Sequence, residues 1–128
     1  MALVGYDLER RVAQPGETVS LTLYWRGLEA METNYTVSTQ FVDADQIKAA
    51  QDDSWPAGGG APTTAWEPGQ LVVDAHPMAI NDVSPGVYDV RVTVYVHQDG
   101  EFTHLPVVSA SGEMLASHTL LTRVRVNP

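Results

Sequence analysis

Two tryptophans, Trp55 and Trp66, bracket the glycine-rich stretch SWPAGGGAPTTAW at residues 54–66. Pyranose rings stack their apolar faces on exposed aromatic rings, so this loop could be a sugar-binding platform. The same two rings could instead pin the loop against the body of the fold, since burying one is worth about 2–3 kcal/mol. A second candidate surface comes from strand alternation. Tyr24 and Tyr95 fall on the polar phase of their strands, alongside Arg26, Arg91 and Thr93. If those strands share a sheet, its outer face carries two aromatics and two guanidinium groups, which suits a ligand or a neighbouring domain. Sparse exposed tyrosines also occur on sheets that bind nothing.

Other chemistries find less to work with. Asp43, Asp45, Asp52 and Asp53 surround one hairpin, but the spacing of a calcium-binding EF-hand is absent and aspartate also favours turns. His76, His97, His104 and His118 are scattered, with no HExxH and no short ligand pair. There is no GxSxG elbow, no dinucleotide fingerprint, and no lysine after Gly58-Gly59-Gly60 to make a phosphate loop. Glu67, Glu101 and Glu113 sit in turns, and nothing nominates the facing carboxyl pair of a glycosidase. No catalytic residue, metal ligand or cofactor is therefore assigned. A small hydrolase is the remotest reading.

Composition narrows the partners. Seven basic residues against sixteen acidic ones give a formal charge of −9, which repels nucleic acid and anionic membrane surfaces. No apolar run approaches the roughly 20 residues of a membrane helix. Residues 1–4 lead straight into a polar strand-like segment, so no signal peptide is read. Without cysteine there is neither a disulfide framework nor a thiolate metal site. The 128 residues fit one domain, 1–128, large enough to bury about two-thirds of its unfolded surface.

The elements that must position these residues read as strands. Residues 84–96, SPGVYDVRVTVYV, open on a Pro-Gly turn and then alternate. Tyr88, Val90, Val92, Val94 and Val96 take one phase, a pattern that belongs in mid-sheet. Tyr88 at the start of this strand suits a tyrosine corner. Residues 18–26 alternate as cleanly, with Val19, Leu21, Leu23 and Trp25 inward. Residues 4–12 read as a first, edge strand with Val4, Tyr6 and Leu8 on one side. Residues 34–43 read as a third strand, with Tyr35, Val37, Thr39 and Phe41 inward, and residues 47–52 return after a turn. Residues 71–80 form a strand that Pro77 confines to an edge or bends. Turns are expected at 81–86 and, from Asp99-Gly100, at 97–101. Residues 102–108 return, and residues 115–126 close the chain. Seven or eight strands without a helical period predict an antiparallel β-sandwich, with a closed barrel as the alternative.

Together VGYDL, PGETVSLTLYWRGL, NYTVSTQFVDADQIKAAQDD, PTTAWEPGQLVVD and SPGVYDVRVTVY resemble an immunoglobulin-like β-sandwich module. Similar modules are attached to large membrane or surface proteins of Chloroflexi-type bacteria, often glycosyltransferase-like ones. The paired cysteines of antibody domains are missing. The resemblance spans residues 4–126 and implies a non-catalytic, extracytoplasmic accessory module of a larger cell-envelope protein. Its expected partners are neighbouring domains or carbohydrate, and its candidate contacts are Trp55, Trp66, Tyr24, Tyr95 and Arg91.

Overall fold

A computed structural model describes residues 1–80, 83–105 and 107–128. The turn expected at 81–86 lies partly outside these residues, as does Pro106 in the expected strand 102–108. Among the described residues ten strands form two sheets. The first has the order β6-β3-β1-β9, and the second β2-β10-β7-β4-β5 with β8 paired to β7. The strands are β1 (Ala2–Leu8), β2 (Val12–Ala13), β3 (Thr18–Arg26), β4 (Thr36–Val42), β5 (Lys48–Ser54), β6 (Leu71–Ala79), β7 (Gly86–Gln98), β8 (Glu101–His104), β9 (Val108–Ser109) and β10 (Thr119–Val126). The chain is a β-sandwich. β2 and β9, of two residues each, account for the excess over the expected seven or eight strands.

Alternation explains the core. On β3, Val19, Leu21, Leu23 and Trp25 are wholly buried; on β7, Tyr88, Val90, Val92 and Val94 are buried. They meet Val37 and Phe41 of β4, Met78 of β6 and Val124 of β10 in one cluster between the sheets. β7 lies mid-sheet between β10 and β4. At its start the Tyr88 hydroxyl donates to the Ser84 carbonyl, closing the expected corner. At its end Asp99 and Gly100 both take positive φ (51° and 78°), the two-residue hairpin that Asp-Gly favours.

Several expectations change. Residues 4–12 are not one strand: β1 pairs with β3 in the first sheet, and β2 runs parallel to β10 in the second. A register shift between Leu3 and Gly5 resets the phase, so Leu3 is buried while Val4 is exposed. The sandwich is also not purely antiparallel, because β1–β9 and β10–β2 are short parallel pairings. Residue 47 lies outside β5, which continues to Ser54. β8 ends at His104, short of the strand expected over 102–108. β10 begins at Thr119, not at residue 115.

β6 is an edge strand, one of the two placements that Pro77 allows. Its inward residues include two polar ones, Asp74 and His76, both fully buried. His76 Nδ1 lies 2.7 Å from Asp52 Oδ2 on β5, and its Nε2 lies 2.7 Å from Asp74 Oδ2. Trp25 Nε1 donates to Asp74 Oδ2 (3.1 Å), and the Ala57 amide donates to Asp74 Oδ1 (2.8 Å). This network joins the edge of one sheet to the edge of the other and ties down the glycine-rich loop. Burial penalises the charged imidazole, but hydrogen bonds and charge from Asp74 and then Asp52 outweigh it and hold His76 above its ordinary value.

Candidate functional site

The outer face of the second sheet is a grid whose rows follow strand register. Gln51, Gln40 and Arg91 make one row across β5, β4 and β7. Asp53, Ser38 and Thr93 make the next. Thr36, Tyr95 and His104 make a third across β4, β7 and β8, and His97 pairs with Phe102 beyond it. These side chains face outward because the valines between them face the core. The β8 hairpin and His118, just before β10, wall the grid into a cavity of about 400 Å³.

Its floor is polar and buried. Ser38 and Gln40 are 1% and 2% exposed, although they lie on the outer phase of their strand. Asp53 accepts from Ser38 Oγ (2.6 Å) and Gln51 Nε2 (2.9 Å) at Oδ1, and from the Tyr95 hydroxyl (2.8 Å) at Oδ2. Burial, then the hydrogen bond to Asp53 and its charge, push the Tyr95 phenol up to about 12. Tyr95 therefore stays a donor at any physiological pH. Gln40 Nε2 donates to Ser38 Oγ (3.0 Å), while Gln40 Oε1 is shielded from water and has no partner among the described residues.

One wall is aromatic. Phe102 is 64% exposed, meets Tyr95 edge-on at 5.4 Å and stacks on His97 at 4.4 Å between ring centres. His104 hydrogen-bonds Thr93 through Nδ1 (2.9 Å), and its ring lies 5.2 Å from that of His118. Burial lowers His118 from its ordinary value; His104, Arg91 and Lys48 lower it further by repelling its proton.

The sequence-derived candidates separate. Tyr95 lines the cavity. Arg91 adjoins it beside Gln40, with Nη1 donating to Gln46 Oε1 (3.0 Å) and Nε shielded and without a partner among the described residues. Tyr24 is not on this face: it belongs to β3 in the other sheet, where its hydroxyl donates to Asp7 Oδ2 and its own value is raised by that bond. The shared Tyr24–Tyr95 face is thus excluded by sheet membership. Trp66 is 3% exposed and donates through Nε1 to the Ala61 carbonyl (2.8 Å), so it pins its loop and is no platform. Trp55 is 44% exposed, at the start of a 3₁₀ turn, Pro56–Gly59. The two rings do not form an exposed pair. Three of the four aspartates divide as well: Asp43 caps its own turn by accepting from the Asp45 and Ile47 amides, Asp52 serves His76, and Asp53 serves the cavity. Among the described residues no cluster of three His, Cys, Asp or Glu side chains could hold a metal.

Sequence reading missed Gln40, Ser38, Phe102, His104 and His118 as site residues. The signal for the first two was present: polar Ser38 and Gln40 alternate with apolar Val37 and Phe41, as a lined outer face requires.

Compared with family models and with curated proteins, the chain matches none. Among solved structures it is similar to the crystal structure of the C-terminal domain of wzt, with a TM-score of 0.65 over 98% of this chain and 72% of that one. The identity is 9%, and the likeness carries the fold alone.

Proposed function

We propose that the chain is a non-catalytic module that binds carbohydrate in the cavity on the outer face of the β5–β4–β7–β8 surface. The observation that carries this reading is Gln40 Oε1, a buried acceptor without a partner among the described residues, on the floor of the cavity. Buried polar atoms are rarely left unmet, and a ligand hydroxyl would meet this one. The surroundings suit a sugar ring. Ser38, Thr93, Gln51 and Tyr95 offer hydroxyl and amide groups at the pitch of a sheet, and Phe102 offers an exposed aromatic wall. Among the described residues Asp53 is the only carboxylate lining the cavity, and it is engaged by three donors, which speaks against a carboxyl pair and hydrolysis. Placement in a larger bacterial envelope protein, glycosyltransferase-like in type and outside the cytoplasm, rests on the sequence resemblance. That the similar solved structure is itself a C-terminal domain suits a module of a longer chain. No helix among the described residues is long and apolar enough to cross a membrane.

Isothermal titration calorimetry against a panel of oligosaccharides tests the reading. Calorimetry is preferred to fluorescence because no tryptophan among the described residues lines the cavity. Saturable binding is expected, weakened about tenfold in Phe102→Ala, which corresponds to about 1.4 kcal/mol of lost stacking. Phe102 is exposed, so the melting temperature should stay within about 2 °C. A flat response across the panel would sink the proposal. Binding that survives in Phe102→Ala and Gln40→Leu but disappears in Trp55→Ala would move the site to the loop.

A further inference from the structure

The distribution of charge around the cavity runs against that of the chain. The protein has seven basic and sixteen acidic residues, so a basic side chain has carboxylates in excess to pair with. Arg10 and Arg123 do pair, with Glu17 and Asp89. Arg11, Arg26, Lys48, Arg91 and Arg125 make no ion pair among the described residues, and of these five Lys48 and Arg91 belong to the cavity region. Lys48 lines it. Arg91 stands next to Gln40 in register and is held by a neutral partner, Gln46. His104 and His118 line the same cavity, ring to ring. The one lining carboxylate among the described residues, Asp53, already accepts three hydrogen bonds from Ser38, Gln51 and Tyr95. Lys48 at the cavity and Arg91 beside it therefore supply positive charge where the lining carboxylate among the described residues is already engaged.

We infer that the ligand is an anionic saccharide, whose carboxylate or phosphate oxyanion sits among Lys48, Arg91, His104 and His118 while its hydroxyls reach Gln40 and Ser38. The inference rests on the carbohydrate reading and specifies its ligand class. Two cations without a carboxylate partner beside a partly enclosed site favour an oxyanion, and a guanidinium group matches either carboxylate or phosphate. The acidic remainder of the surface would keep large polyanions away, so recognition is limited to an anion presented on a chain that fits the cavity. Burial first, and then His104, Arg91 and Lys48, lower His118, so it meets the oxyanion as a neutral N–H donor while Lys48 and Arg91 supply the charge.

Three probes decide the matter by calorimetry at low salt: a trigalacturonate, its carboxyl-reduced neutral counterpart and mannose 6-phosphate. The first, the third or both should bind at least tenfold more tightly than the neutral sugar, which also separates carboxylate from phosphate as the source of charge. That preference should fall below about threefold in Lys48→Gln and Arg91→Gln, and should shrink in 0.5 M salt because screening weakens it. Lys48 is exposed, so its variant keeps the test open even where the Arg91 variant fails to fold. Equal or tighter binding of the neutral sugar overturns the inference and leaves the carbohydrate reading standing. An anionic preference that both folded variants retain overturns it too. Should no saccharide bind, charged or neutral, the carbohydrate reading fails and this inference fails with it.

Discussion

Both ring nitrogens of His76 face carboxylate oxygens, one from each sheet, in a position with no exposure to water. A ring so placed is most stable as the imidazolium, because both nitrogens must then donate. Its value is raised, so the stability it adds is fully present below the unfolded value of about 6.5 and is lost as pH climbs through the higher folded value. Urea denaturation from pH 6 to pH 9 should show stability falling across that window. In His76→Leu the fall should vanish, with about 3–5 kcal/mol lost at pH 6 because Asp74 is left as a buried charge without its cation. A pH slope unchanged in that variant would show that His76 is not the titrating group. None of this was legible in the sequence. Asp74 and His76 alternate with Leu71, Val73 and Pro77, and hydropathy alone assigns the apolar set to the core. The structure buries the other set, because only Asp74 and His76 have partners waiting there in Trp25, Ala57 and Asp52.

At the scale of elements, the joint after β3 is the tightest. The Gly27 amide donates to the Gln70 carbonyl (3.0 Å), and the Gly69 amide donates to the Gly27 carbonyl (2.7 Å), clamping two turns together. A Cβ on Gly27 would stand 2.8 Å from the Glu67 carbonyl oxygen. Gly27→Ala should therefore cost about 1–3 kcal/mol in chemical denaturation, because backbone and not a flexible side chain must yield. A neutral result would mean that the clamp relaxes freely. The loop beyond is held by the Trp66 ring and its bond to Ala61; Trp66→Ala should cost about 3–5 kcal/mol without changing saccharide affinity. β3 and β7 were readable to the residue or nearly so, since each has one wholly apolar phase. The N-terminal segment was not, because the break between β1 and β2 is a change of sheet, made where Arg10 and Arg11 face water and no periodic signal marks it.

Across the whole molecule, protection should follow position in the sheets. β3 and β7 are flanked by strands on both sides and pack their apolar phases together, whereas every residue of β8 is exposed. Hydrogen exchange should find the slowest amides in β3 and β7 and fast ones in β8, and saccharide binding should slow β8, which carries Phe102 and His104. Fast exchange in β7, or a β8 indifferent to a bound sugar, would contradict this arrangement. The sequence by itself determined the all-β class, the turns at Asp43 and Asp99-Gly100, the restriction of the Pro77 strand to an edge or a bend, and the inward faces of β3 and β7. These are local consequences of a two-residue period and of what proline, glycine and aspartate do to the backbone. Only the tertiary structure decided that Tyr95 shares its sheet with Ser38, Gln40 and Asp53 and not with Tyr24. Alternation tells which face a side chain takes, but strand neighbours and their register are set by contacts distant in sequence, and the cavity exists only where those registers coincide.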